Sequence, residues 1–268
     1  MITDHKRNSL KEMAVQIAAL YQVGQVTALL NIAASEEIIV CYDHYENTFD
    51  GLLVYEEEQD QWYIHVNLDR GNSENSPRGR FSLAHELAHY FIDEHRIGIK
   101  SGAIAPIGSR NDLNPQNEME EEADYFASCL LMPDNLFRAV KTPKKFSLDT
   151  VLQLSAAFQV SVLSTAIKFA EIGTHEICAV LSENGEIRWS ARSKDFPKWV
   201  NRFKRGQRLP PRTVAAEFFA DSGKRYTGIE TVSPNDWFEA TYNADRDMYE
   251  QCYYSDSYGY VLSVLWFD

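Results

Sequence analysis

Residues 80–94 form an apolar segment interrupted by His85, Glu86 and His89, and that interruption constrains the chain more than any other feature. The flanking Phe81, Leu83, Leu87, Ala88, Tyr90 and Phe91 predict a helix with little surface facing water. Two imidazoles and a carboxylate in such a helix are costly unless something partners them. The spacing suggests what the partner is. Four residues advance a helix by about 400°, so His85 and His89 project from one face, one turn apart. That arrangement lets both bind one tetrahedral Zn²⁺. Glu86 is rotated by about 100° from His85. It lies near the metal but off its line, where a carboxylate can take a proton from metal-bound water.

A third ligand is needed. His95 stands at the offset of an extended H-E-x-x-H-x-x-G-x-x-H pattern, but the glycine position is Ile92. Without glycine's freedom a sharp turn there is not expected. On a continuing helix His95 points about 240° away from His89. The acidic helix starting at Asn117 offers a better source. Glu120 shares a face with Ala123, Asp124 and Ala127, and those small residues allow close approach to Ala84 and Ala88. Glu120 is the expected ligand, and Asp124, one turn on, can hydrogen-bond a ligand histidine. Glu118, Glu121 and Glu122 read as a solvated helix N-terminus favoured by the helix dipole. Glu122 is the alternative metal ligand.

Two runs together resemble the ImmA/IrrE metallopeptidases. Arg80 to Phe91 (RFSLAHELAHYF) is similar to the active helix of that family, and Glu120 to Pro133 (EEEADYFASCLLMP) to its second signature. The family commonly has glycine at the position of Ala88 and often asparagine at Asp124; neither change removes a ligand. With the preceding 51–68 hairpin, the resemblance covers about residues 1–172. It implies a gluzincin-like α+β fold, helices with a small sheet, with one zinc on His85, His89 and Glu120 and Glu86 as catalytic base. It further implies a protein substrate, a helix-turn-helix transcriptional repressor controlling stress-response or mobile-element genes. The rival reading is a non-catalytic zinc-containing regulator that binds a repressor or nucleic acid.

The rest of the chain divides around this site. One helix is expected from Asn8 to about Ile32, followed by strands at 37–43, 51–56 and 61–68. Residues 97–115 read as a long loop. The metallopeptidase domain is set at 1–140. A helical segment, 141–173, is expected to pack on it. The turn at Phe158–Ser161 gives this segment a helix-turn-helix look, yet Lys168 is the second helix's one cation, too few for holding DNA by phosphate contacts. After a boundary near Gly173, residues 174–268 show short strand-like runs at 177–181, 187–191 and 258–267. This mixed α/β part resembles the GAF-like C-terminal region of longer family members and is expected to be a regulatory or sensor domain.

Charge narrows the partners. The chain has 39 acidic and 26 basic side chains, and 25 of the acidic ones fall before residue 175. General nucleic-acid binding is therefore not expected. A local exception is Lys198–Arg212. There Lys198, Arg202, Lys204 and Arg205 form a candidate anion-binding segment, with Trp199 and Phe203 interleaved. A nucleic acid enters only as a signal ligand on that segment. The tyrosines of 249–260 read as core and cross-strand pairs. The scattered cysteines, Cys41, Cys129, Cys178 and Cys252, fit neither a disulfide framework nor a cysteine zinc site. With no membrane-spanning run and no signal-peptide core, the expected location is the cytoplasm.

Overall fold

The computed structural model describes residues 2–105, 108–110, 117–140, 145–172, 175–221, 225, 228–242, 244–256 and 258–267. The chain divides into two compact units. The first comprises Met1–Val140 with Ser155–Ser161, the second Lys141–Leu154 with Val162–Asp268.

The first unit begins with α1 (Asp4–Leu20), capped by Thr3, whose side chain accepts from the Lys6 N–H. Leu10, Ala14 and Ala18 recur every four residues and are its buried stripe. The single helix expected to Ile32 is not formed. Leu20 is exposed, and Gly24, at φ +65, closes a turn between β1 (Gln22–Val23) and β2 (Val26–Thr27). Thr27 then donates its hydroxyl to the Leu130 carbonyl at 2.8 Å, and α2 (Leu29–Ser35) comes after it. A tertiary hydrogen bond and one left-handed glycine override the helical periodicity.

Three strands come next: β3 (Ile39–Asp43), β4 (Gly51–Glu56) and β5 (Gln61–Asn67). Their order is β3-β5-β4, parallel for β3 with β5 and antiparallel for β4 with β5. Leu53, Ile64 and Val66 fill the buried face, and the sheet packs on α3 (Pro77–Phe91). Strand β4 lies at the sheet's edge beside that helix. Helix α3 starts three residues before its expected start, because Ser76 caps it and Pro77 occupies its first turn. It stops at Phe91. Ile92 is extended (φ −78, ψ 109), and a new helix, α4 (Asp93–Lys100), leaves at an angle. Helices α5 (Glu118–Leu131) and α6 (Asp134–Ala139) complete this part. Small residues on the facing surfaces, Ala84 and Ala88 on α3 and Ala123 and Ala127 on α5, are all fully buried.

The last turn of α7 (Leu148–Phe158) belongs to the first unit and its beginning to the second. Helix α8 (Val162–Ile172) packs on strands β6 (Ile177–Glu183) and β7 (Glu186–Arg192) within the second unit. Its apolar residues Ala166, Phe169 and Ala170 are buried, and so is Lys168, which leaves that helix no exposed cation for DNA. The expected boundary at Gly173 lies outside the described residues.

The second unit continues with β8 (Val200–Asn201), α9 (Val214–Ala220), β9 (Glu230–Val232), α10 (Pro234–Trp237), β10 (Phe238–Glu239), β11 (Met248–Ser255) and β12 (Tyr260–Phe267). Its main sheet is antiparallel in the order β7-β6-β12-β11-β9. Strand β11 is hard to see in the sequence because Glu250 sits at a core position and breaks the alternation. The buried Glu250 carboxylate accepts from Val214 N (3.1 Å), Ala215 N (3.3 Å), Trp237 Nε1 (2.9 Å) and Ser263 Oγ (3.1 Å). It ties α9, α10 and β12 to β11. A buried donor left without its acceptor costs about 1–3 kcal/mol. Glu250→Ala strands several at once, so it should lower the denaturation midpoint of the second unit sharply and cost more than about 3 kcal/mol. A change below about 0.5 kcal/mol would contradict this role.

Candidate metal centre

The site is built on two helices. Helix α3 carries His85, Glu86 and His89, all within its buried face. Helix α5 opens at Asn117, whose side chain accepts from the Glu120 N–H at 3.0 Å. That cap fixes the first turn and so the origin of the Glu120 side chain. The two helices pack directly on each other, with Phe91 and Phe126 stacked at 6.3 Å.

Three ligand atoms converge. His85 Nε2 lies 3.1 Å from His89 Nε2 and 3.2 Å from Glu120 Oε2, and His89 Nε2 lies 3.6 Å from Glu120 Oε1. Tetrahedral bonds of about 2.0–2.1 Å separate ligand atoms by roughly 3.3–3.4 Å. The donor set therefore fits one metal ion without rearrangement, and His85, His89 and Glu120 form the group able to hold one among the described residues. His89 and Glu120 border a small cleft, with about 20 Å³ of free space, that is also lined by Leu53, Glu86, Ile99 and Ile104.

Glu86 is held from the sheet side. It accepts from the Leu53 backbone N–H and from the Ser109 hydroxyl at 2.5 Å. Ser109 is itself pinned on the β4 edge: its N–H donates to the Gly51 carbonyl at 2.9 Å, and its carbonyl accepts from Asp50 N at 2.8 Å. A Cβ on Gly51 would come within 2.6 Å of Glu86 Oε1. Gly51 is thus the clearance that lets this carboxylate lie against the strand.

Comparison with known proteins identifies the family. The IrrE N-terminal-like domain model matches residues 47–169. Metallopeptidase ImmA of Bacillus subtilis (strain 168) is 30% identical over 138 residues, spanning 48% of this chain and 72% of that protein. The chain belongs to the ImmA/IrrE family. A solved structure of a Mycobacterium tuberculosis transcriptional regulator is similar with a TM-score of 0.60 and 14% identity. That match covers 98% of this chain and 78% of the other, and it shows the fold alone.

Within the candidate site of this ImmA/IrrE family member, burial and neighbouring charge set the proton affinities. Burial pushes Glu86 up to about 7, against the lowering influence of His85 and Ser109. Burial opposes a proton on His85, but Asp124, at 2.9 Å from its Nδ1, and Glu120 raise it well above the usual histidine range. His89 falls well below that range through burial and the neighbouring His85 and His95. Without metal, His85 is therefore the imidazole of the pair that takes an added proton, and His89 stays neutral.

Two expected placements change. Glu122 is not solvated. It is buried, 3.2 Å from His95 Nε2 and 3.3 Å from Lys6 Nζ, and it stands outside the three-atom group. His95 does not point away. The break at Ile92 brings it back, buried, with its Nδ1 3.1 Å from His89 Nδ1, and burial lowers it to about 4. In the second unit Lys198, Arg202, Lys204 and Arg205 are exposed. Trp199 and Phe203 are in the core, so they offer no stacking face. Gly51 and Ser109 carry no signal in the sequence, because a contact across 23 residues leaves no local pattern.

Loading with divalent metal should release protons, because metal and the His85 proton compete for one nitrogen. Metal affinity should rise with pH and keep rising above the ordinary histidine range, as His85, whose raised proton affinity keeps it charged longest, gives up that proton. Calorimetry in buffers of different ionisation heat reads the release; proton-independent binding would contradict it. Ala at His85, His89 or Glu120 should remove most of the metal, as a three-ligand site cannot spare one. Full retention in Glu120→Ala would move the third ligand elsewhere.

Proposed function

We propose that the chain is a zinc-dependent endopeptidase that cleaves a protein partner, a transcriptional repressor being the first candidate. The observation that carries this reading is the convergence of His85 Nε2, His89 Nε2 and Glu120 on one point, with Glu86 bordering the same cleft. Membership of a metallopeptidase family supports it. The structural neighbour's description as a transcriptional regulator is consistent with a role in gene control.

A zinc ion on those three residues would polarise the scissile carbonyl and acidify the attacking water. The chain's own residues do the rest. Glu86, poised near neutrality by burial, takes the water's proton and passes it to the leaving amine. Ser109 and Leu53 orient its carboxylate. Asp124 holds His85 through Nδ1, which keeps Nε2 available as a ligand.

In this reading the second unit is regulatory. Its exposed Lys198, Arg202, Lys204 and Arg205 are where an anionic signal, nucleic acid included, would dock, with affinity that falls with salt. Among the described residues the cysteines form no disulfide, which suits a reducing cytoplasm, and no single helix is long and apolar enough to cross a membrane.

Glu86→Gln is the decisive variant. It should keep its zinc and lose cleavage by about 10²–10⁴-fold, since an amide cannot act as base. Cleavage of the candidate repressor by purified protein, monitored by mass spectrometry, reads the loss. Repressor inactivation undiminished in the variant would favour a non-catalytic regulator.

A further inference from the structure

Each candidate ligand histidine has a partner on its far nitrogen, and the two partners differ. His85 Nδ1 meets the Asp124 carboxylate directly, an acceptor that leaves no choice of tautomer. His89 Nδ1 instead meets another imidazole, His95 Nδ1, at 3.1 Å. An imidazole nitrogen can donate or accept, so this contact by itself fixes nothing. If His95 donates, the proton of a neutral His89 is forced onto Nε2, where it blocks ligation. If His95 accepts, His89 Nδ1 is the protonated nitrogen and Nε2 is free.

Glu122 decides between the two. Its Oε2 lies 3.2 Å from His95 Nε2. An ionised carboxylate only accepts, so His95 must carry its proton on Nε2 and present a lone pair at Nδ1. Lys6 Nζ, 3.3 Å from the same Oε2 and 3.3 Å from Glu94 Oε1, holds that carboxylate in place. The extended Ile92 makes the arrangement possible, since a continuous helix would carry His95 to the opposite side.

We propose that His95 and Glu122 are positioning residues for the metal site: together they impose on His89 the tautomer that ligates through Nε2. This inference rests on the metal-site reading above. It assigns Glu122 a role two residues removed from the metal, through His95 and His89. Partners of this kind typically affect metal affinity by about 10–100-fold.

The test uses the full-length protein and zinc alone, with affinity read by competition against a chromophoric chelator. His95→Phe keeps a planar aromatic ring at the position and removes the acceptor, and should weaken zinc about 10–100-fold. His95→Asn places an amide oxygen close to the position of Nδ1, and should restore most of that affinity. A packing role would not produce this rescue, and the denaturation midpoints of the metal-free variants separate the two. Long-range ¹H–¹⁵N spectra of the imidazoles in the zinc-loaded wild type give a second readout that needs no variant. His95 should be protonated at Nε2 and bare at Nδ1. Wild-type affinity in His95→Phe, or a proton on His95 Nδ1, would overturn the proposal while leaving the metal site standing. No zinc uptake by the wild type would overturn both.

Discussion

Helix α3 buries His85, Glu86 and His89 in the same stretch that buries Leu83, Leu87 and Ala88, and the rest of the first unit depends on resolving that conflict. Uncompensated, each buried charge costs several kcal/mol. Helix α5 supplies the compensation. In little more than one turn it delivers Glu120 to both imidazoles, Asp124 to His85 and Glu122 to His95. Asn117 sets where that turn begins, and the facing alanines set how closely the helices approach. From the other side, the β4 edge and Ser109 hold Glu86. The apolar packing and the polar site are thus one structure. Leu83 and Leu87 each contribute on the order of 1.5–3 kcal/mol by burial, and that packing keeps the polar groups at ligand distance.

The parts of this site that obey a short period are legible in the sequence. His85, Glu86 and His89 follow from helical spacing alone. Glu120 and Asp124 follow from asking which acidic side chains share a face with small residues. His95 is placed wrongly by helical spacing, because the helix does not run on unbroken. It breaks at Ile92 without a glycine, and contacts with His89 and Glu122 hold His95 in the helix beyond the break. Glu122 reads as solvated for a similar reason, since nothing in its own helix announces His95 or Lys6. Leu20 and Tyr21 mimic a continuing apolar stripe and make the first helix look too long, while Gly24 and the Thr27 hydrogen bond end it.

In the second unit the mismatches run the other way. Glu250 and Gln251 interrupt the apolar alternation of β11, so no strand is expected there although its tyrosines read as cross-strand pairs, and Glu250 is the hub that four N–H and O–H donors satisfy. Trp199 and Phe203 look like part of a binding face, yet they pack in the core and leave only cations outside. Polar residues at core positions and aromatics beside charges both mislead a reading based on composition. In each case long-range packing decides the outcome.

The central claim is that one metal ion sits at the point where His85, His89 and Glu120 converge. An anomalous-scattering map of the metal-loaded crystal, recorded at the absorption edge of the bound metal, tests it most directly. The account predicts one strong peak within about 2.0–2.2 Å of His85 Nε2, His89 Nε2 and a Glu120 oxygen, with a fourth position left to solvent. A peak ligated by His95 or Glu122, or a fourth position closed by a protein side chain, would contradict it.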